Sequence, residues 1–303
     1  MDETHITTNS FKAWVLASRP KTLAGAAVPV MVGSALAASD TAWGLLWLPC
    51  VLCFLFAFIM QIDANFVNDY FDFRRGNDDA ATRLGPQRAC SMGWITTRAM
   101  RVGIGITTVV ACMAGLPLVI FGGWGMVGVG VLCVAFCFLY TVKLSYWGMG
   151  DLLVLVFFGL VPVTLTYYLC VPGLGARVPL DVILASLACG LVIDTLLLVN
   201  NTRDVDNDRR DGKLTLVVRV GRRGGQKLYL LAGCAGLALN AALAFNGRSW
   251  AFLLPMLCYL PLHIVSYEHL VAIGSGRELN RVLGETARNM FLFGLSTSVG
   301  CLL

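Results

Sequence analysis

Charge is scarce in this chain. Asp, Glu, Lys and Arg make up 14% of the residues, against about 25% in an ordinary soluble domain. Histidine is scarcer still, with 3 in the whole sequence, which leaves little material for a histidine metal centre or for Ser-His-Asp chemistry. No linker, low-complexity stretch or soluble domain interrupts residues 1–303, so a single domain is expected. The N-terminus, Met1 to Ser10, is polar and lacks the basic-then-apolar layout of a signal peptide, so Met1 is expected to be the mature start. The cysteines number 11, an odd count, and Cys50-x2-Cys53 and Cys133-x3-Cys137 lie inside apolar runs. They read as small buried apolar residues rather than zinc ligands or disulfides.

Apolar residues fill the rest. They make up 57% of the chain, and the mean hydropathy is +0.73, which implies an all-α multi-pass membrane protein. Runs of roughly 17–25 residues are long enough to span a bilayer. They lie near 22–39, 42–62, 99–121, 123–141, 152–171, 180–200, 227–246, 249–268 and 287–303, which predicts nine transmembrane helices. With the N-terminus inside, 21 of the 23 Lys and Arg fall in inner segments and only Arg177 and Arg248 fall outside, as the positive-inside rule requires. The expected placement is therefore the cytoplasmic (inner) membrane, N-terminus in and C-terminus out. The net charge of +5 follows from this topology and from a basic inner face suited to an anionic substrate or anionic lipid. It is not a nucleic-acid signal.

Three inner segments stand out, 1–21, 63–98 and 201–226. The last two hold 9 of the 18 acidic residues, and long loops in a compact protein are usually functional. They share a pattern: Asn68-x3-Asp72 and Asn200-x3-Asp204-x3-Asp208. Four residues make about one helical turn, so each set stacks on one helix face. Asn65, Asp69 and Asp72 also fall at i, i+4 and i+7. Carboxylate and amide oxygens without histidine or thiolate suit a hard cation, and Mg²⁺ typically combines one or two carboxylates with substrate phosphates. A solvated, capped helix end explains either ladder alone, but matched ladders on the same side favour a Mg²⁺-diphosphate site. Arg83, Arg88, Lys213 and Arg219 flank the ladders and are candidate diphosphate ligands. Lys143 is the one basic residue of the inner turn at 141–151, and it reads either as a diphosphate ligand or as a topology marker. Asp194, in the middle of a span, reads equally as structural or catalytic.

At these residues the chain resembles the UbiA superfamily of intramembrane aromatic prenyltransferases, and within it the 1,4-dihydroxy-2-naphthoate branch of menaquinone biosynthesis. The resemblance runs from Arg19-Pro20-Lys21-Thr22-Leu23 through Asn68-Asp69-Tyr70-Phe71-Asp72 with Gly76 and Asp78, then Arg83-Leu84-Gly85-Pro86. It recurs at Asn200-Asn201-Thr202-Arg203-Asp204 with Asp208, at Gly212-Lys213-Leu214-Thr215-Leu216 and at Gly276-Arg277-Glu278-Leu279-Asn280. It implies nine helices around a cavity open to lipid, under a polar cap made by the inner loops. It implies Mg²⁺ held by Asn68, Asp72, Asp78, Asn200, Asp204 and Asp208, with catalysis resting on Asn68, Asp72, Asp204, Asp208 and Lys143. The partners implied are a polyprenyl diphosphate, an aromatic acceptor and membrane lipid, and Tyr70, Tyr140 and Asn65 are candidate contacts to the acceptor or an allylic cation. Two departures stand out. Gly76 occupies the place of a third carboxylate, which makes Asp78 the candidate substitute. Val142-Lys143-Leu144 replaces a Gly-Pro turn of the naphthoate branch, which leaves 4-hydroxybenzoate, homogentisate or haem open as acceptors. The rival readings are weaker. Asp208-x2-Asp211-Gly212 lacks the later aspartates of a CDP-alcohol phosphotransferase, and a cation-coupled transporter would place its carboxylates at mid-membrane.

Overall fold

Long apolar runs leave the backbone no water to bond, so helices satisfy it internally. The computed structural model describes residues 6–76, 83–173 and 177–303, and all regular structure among them is helical. A short helix, α1 (Phe11–Ser18), precedes eight helices long and apolar enough to cross a membrane. These are α2 (Leu23–Asp40), α3 (Trp47–Arg75), α4 (Thr97–Gly122), α5 (Gly125–Leu144), α6 (Gly150–Cys170), α7 (Leu180–Arg210), α8 (Leu216–Phe245) and α9 (Ser249–Ile273). The ninth expected span lies in α10 (Leu279–Leu302). That helix begins before the apolar run and takes in Arg281, Glu285 and Arg288, so by length and composition eight helices qualify rather than nine. α10 packs against α2 through Gly294, whose Cα faces Val28, and Gly300 meets the start of α9 at Trp250.

α4 and α5 turn Val102, Ile106, Val109, Met113, Val131 and Leu132 outward. Such a surface suits hydrocarbon and not water, and the protein is an integral membrane protein. Inside, α6 and α7 touch backbone to backbone. A Cβ on Gly159 would lie 2.6 Å from the Ser186 carbonyl oxygen and 2.7 Å from Gly190 Cα, the close approach that small residues allow between membrane helices. Two π turns interrupt the regular helices, Tyr140–Leu144 at the end of α5 and Leu155–Leu160 within α6. Such turns are frequent at functional sites.

Two helices run further than their apolar runs. α3 continues to Arg75 and α7 to Arg210, so much of the two segments expected as loops is helical. Gly76, at φ 77°, ends α3 in the left-handed conformation. Gly221, at φ 76° and ψ 167°, breaks α8 near its start, so its apolar part begins close to the expected 227.

At the opposite end from these extensions, Arg248 explains its own exception to the positive-inside count. Its guanidinium bonds Asp181 at 2.6 Å and Ser39 Oγ at 3.1 Å and pairs with Asp40. Tyr167 donates to Asp40 at 2.6 Å. The cluster ties α2, α6, α7 and the α8–α9 turn together. Arg248→Ala would leave Asp181 buried without its counter-charge, a change expected to cost about 3 kcal/mol. A lower unfolding midpoint in detergent, with unchanged turnover per folded molecule, would register it.

Candidate active site

The first ladder divides between two duties. Asn65 and Asp69 turn into the protein. Asn65 donates its amide to the Ser18 carbonyl and the Thr22 hydroxyl, both at 2.9 Å, and so holds the segment between α1 and α2. Asp69 accepts the backbone N–H groups of Ala89 at 2.8 Å and Cys90 at 3.0 Å, and so holds the α3–α4 connection. Asp63, six residues before Asp69, accepts the hydroxyls of Thr107 and Thr108 on α4. These buried polar groups have partners, as burial demands, and their work is structural. Asn68 and Asp72 form the free face. The Thr141 hydroxyl donates to Asn68 Oδ1, and Arg88 reaches Asp72 at 3.4 Å. Lys213, Arg83, Arg19 and Arg75 all lie within electrostatic reach of Asp72. The expected fourth member, Asp78, lies outside the described residues.

The second ladder runs along the end of α7. Asn200 is half-buried. Asp204 is gripped bidentately by its neighbour Arg203, at 2.8 and 2.6 Å. Arg203 is 4% exposed, and its other nitrogen donates to Asn280 Oδ1 at 2.7 Å. Asn280 in turn donates to the Leu84 carbonyl at 2.8 Å. Three separate segments thus meet at Asp204. Beyond Arg210 the chain turns through Gly212, at φ 72°, and the Lys213 N–H bonds back to the Asp208 carbonyl at 2.8 Å. That left-handed turn, natural for glycine, brings Lys213 Nζ to 3.6 Å from Asp208 Oδ1.

Lys213 is the joint between the ladders. Burial alone would lower its pKa, but Asp208 and then Tyr140, Asp72 and Asp204 outweigh burial and hold it above the ordinary lysine value. The ammonium therefore stays charged and lies within electrostatic reach of α3 and α7 at once, with Tyr140 beside it.

Other candidates have partners of their own. Lys143 is exposed, with its ammonium 4.5 Å from the Trp147 ring centroid, a cation–π seat. Arg219 donates to the backbone carbonyls of Leu214 at 3.2 Å and Trp147 at 2.7 Å, and so fastens two connections together. Arg83 donates to the Pro86 carbonyl at 2.7 Å, inside its own loop. Tyr70 packs edge-on against Phe71 at 5.2 Å, in the apolar cluster under α1. Lys143→Met is expected to leave turnover within about twofold, the ~0.5 kcal/mol range of surface substitutions. A steady-state assay on membranes decides this.

The sequence reading missed Arg203 and Asn280 as functional partners, although both stand in quoted motifs. It also missed Arg19 and Arg75. Their common signal is a cation or amide adjoining a ladder or one of its loops. The ensemble, carboxylates and amides on two helix ends surrounded by five basic side chains, is built for a multiply charged anion together with a cation.

Comparison with known proteins points the same way. Residues 26–295 match the UbiA prenyltransferase family. A 1,4-dihydroxy-2-naphthoate octaprenyltransferase of Haemophilus influenzae is 30% identical over 305 residues, covering 96% of each chain. The enzyme of that name from Escherichia coli is 36% identical over 266 residues, covering 80% of this chain and 81% of its own. A UbiA homologue from Aeropyrum pernix shares the fold with a TM-score of 0.72 at 14% identity, over 93% of this chain and 98% of that one. A homologue from Archaeoglobus fulgidus, solved with DMAPP and Mg²⁺, gives a TM-score of 0.62 at 14% identity, over 94% and 99%. With the family matched over residues 26–295 and relatives of 30% and 36% identity covering most of both chains, the chain belongs to the UbiA prenyltransferase family and is an aromatic prenyltransferase.

Proposed function

We propose that the chain transfers a polyprenyl group from polyprenyl diphosphate to 1,4-dihydroxy-2-naphthoate. The ring carboxylate leaves as CO₂, and the products are demethylmenaquinol, on the route to menaquinone, and diphosphate. The observation that carries this reading is Lys213, within reach of both ladders, with Arg19, Arg75, Arg83 and Arg88 around Asp72. The names of the bacterial relatives support the naphthoate acceptor. The archaeal homologue bound to DMAPP and Mg²⁺ supports the donor.

The residues present fit Mg²⁺. The ladders offer only oxygen donors, and Asp208 keeps a buried Oδ2 with no hydrogen-bond partner among the described residues. Among the described residues no three carboxylates already converge on one point, which suits an ion whose coordination is completed by phosphate oxygens. Asn68, Asp72, Asn200, Asp204 and Asp208 would hold it, with Asp78 as the further candidate. When bound, Mg²⁺ neutralises charge on the leaving diphosphate and so favours C–O ionisation.

The chain's own side chains do the rest. Lys213 and the arginines about Asp72 hold the diphosphate by charge-assisted hydrogen bonds. Tyr140, within electrostatic reach of Lys213, is the candidate aromatic contact for the allylic cation. The apolar interior keeps water from the cation while the naphthoate ring attacks. On this reading the site and the N-terminus face the cytoplasm from the cytoplasmic membrane. Membranes carrying the chain should turn labelled polyprenyl diphosphate, Mg²⁺ and dihydroxynaphthoate into a labelled lipid quinol. Product from 4-hydroxybenzoate, homogentisate or haem instead would move the acceptor, and no product from any of them would defeat the reading.

A further inference from the structure

Two carboxylates stand outside the ladders, one half-buried and one buried. Asp151 stands in the first turn of α6, between the two π turns. Asp194 stands midway along α7 and is 7% exposed. Each keeps its Oδ1 buried with no hydrogen-bond partner among the described residues, and the two lie within electrostatic reach of each other. An unpartnered buried oxygen is costly, and two in one place call for an explanation.

A small cavity beside Asp151 supplies one. Tyr140, Ser145, Asn201, Lys213 and Thr215 line it together with Asp151, so it adjoins the residue that joins the ladders. Its free space is ≈ 10 Å³, room for one water or one hydroxyl group. The Tyr140 hydroxyl lies 3.8 Å from where a Cβ of Gly150 would stand, next to Asp151 in the chain. On the far side, Asp194 borders an apolar groove of ≈ 310 Å³ lined by Leu191, Leu198, Leu228 and Leu231. The pair stands between a polar cavity at the diphosphate site and an apolar groove.

We propose that Asp151, backed by Asp194, accepts the hydroxyl proton of the aromatic acceptor during prenyl transfer. This rests on the naphthoate reading above. The hydroxyl enters the cavity and the ring stays outside it. Its proton passes to Asp151, and the oxygen's electron pair raises the nucleophilicity of the adjoining ring carbon, the one that carries the carboxylate. That carbon bonds to C1 of the prenyl group, and diphosphate leaves with the C–O bonding pair. CO₂ then departs, leaving its bonding pair in the ring. The ring oxygen becomes negative again and takes the proton back from Asp151. No proton is gained or lost overall, so the step needs no proton exchange with bulk water.

Asp194 on α7 and Tyr140 at the end of α5 lie within electrostatic reach of Asp151, and Lys213 ahead of α8 lines the same cavity. Asp151→Asn keeps the shape of the cavity and removes the proton acceptor. In the full-length variant, product formation is expected to fall about a hundredfold or more. The dissociation constant for a non-reacting prenyl thiodiphosphate, measured with Mg²⁺, should stay within about twofold. The residual rate should climb about tenfold per pH unit as the acceptor hydroxyl ionises unaided, and Asp151→Glu should restore part of the loss. Full product formation by Asp151→Asn overturns the proposal, and so does loss of thiodiphosphate binding together with turnover, which would mark Asp151 as structural. Absence of product from dihydroxynaphthoate in the unaltered protein overturns the naphthoate reading itself, before any variant is compared.

Discussion

Replacing Asp72 or Asp204 with Ala is expected to lower product formation by about a thousandfold or more, ~4 kcal/mol of barrier, with the protein still folded in the membrane. The two residues stand on different helices, α3 and α7, and Lys213 lies within electrostatic reach of both. Neither is part of the core: the side chains are 25% and 28% exposed. Loss of Asp72 opens no large cavity, so its effect should fall on chemistry and not on folding. Loss of Asp204 also leaves the buried Arg203 without its counter-charge and should lower the unfolding midpoint, by about 3 kcal/mol of stability. Asp69 makes the contrast. It lies three residues before Asp72 but is fully buried, and it spends both oxygens on backbone N–H groups at 89 and 90. Asp69→Ala should therefore lower stability first and activity only through it. Turnover in the presence of rising Mg²⁺, alongside the unfolding midpoint of each variant, separates the two outcomes. Normal turnover in Asp72→Ala or Asp204→Ala would break the two-ladder site.

The spacing Asn-x3-Asp made that site legible before any coordinate, because one turn of helix is the only geometry needed to align it. The helix ranges were legible for the same reason, since apolar length is a direct measure of a span. The ends of α3 and α7 were not. Polar residues past the apolar run read as loop, whereas Gly76 and the turn at Gly212 show where each helix stops. The absent carboxylate at Gly76 has its physical reason there: a residue in the left-handed conformation no longer continues the helical face. Asn65 and Lys143 were legible as polar residues in the right region, but their partners, Thr22 and Trp147, decide their roles. Distances between segments far apart in sequence carry that information, and periodicity does not. α10 fails the apolar measure for a related reason. It buries Thr286, Asn289, Thr297 and Ser298 against neighbouring helices, and a polar face satisfied inside a bundle lowers hydropathy without exposing the helix to water.

Arg203→Ala is expected to cost both fold and function, and the two losses can be parted. The guanidinium is nearly buried and carries three bonds that no smaller group can replace, two to Asp204 and one to Asn280. Removing it deletes these three bonds, at a cost of about 2 kcal/mol. It also frees the Leu84–Gly85 turn, which packs so closely that a Cβ on Gly85 would lie 2.8 Å from the guanidinium. Turnover should fall about a hundredfold, the scale on which the hydrogen-bond partners of a ligating carboxylate act. Arg203→Lys keeps the charge but not the planar fork. It should recover much of the unfolding midpoint while leaving turnover low, because one ammonium cannot fix both oxygens of Asp204 and reach Asn280 as well. Asn280→Ala, which cuts the links to the Leu84 carbonyl and to Arg203, should lower turnover about tenfold with the Arg203–Asp204 pair still formed. The measurement is a paired one, initial rate at saturating Mg²⁺ and thermal midpoint in detergent for each variant. Wild-type turnover in Arg203→Lys would show that charge alone holds Asp204, and that the fork does not orient it.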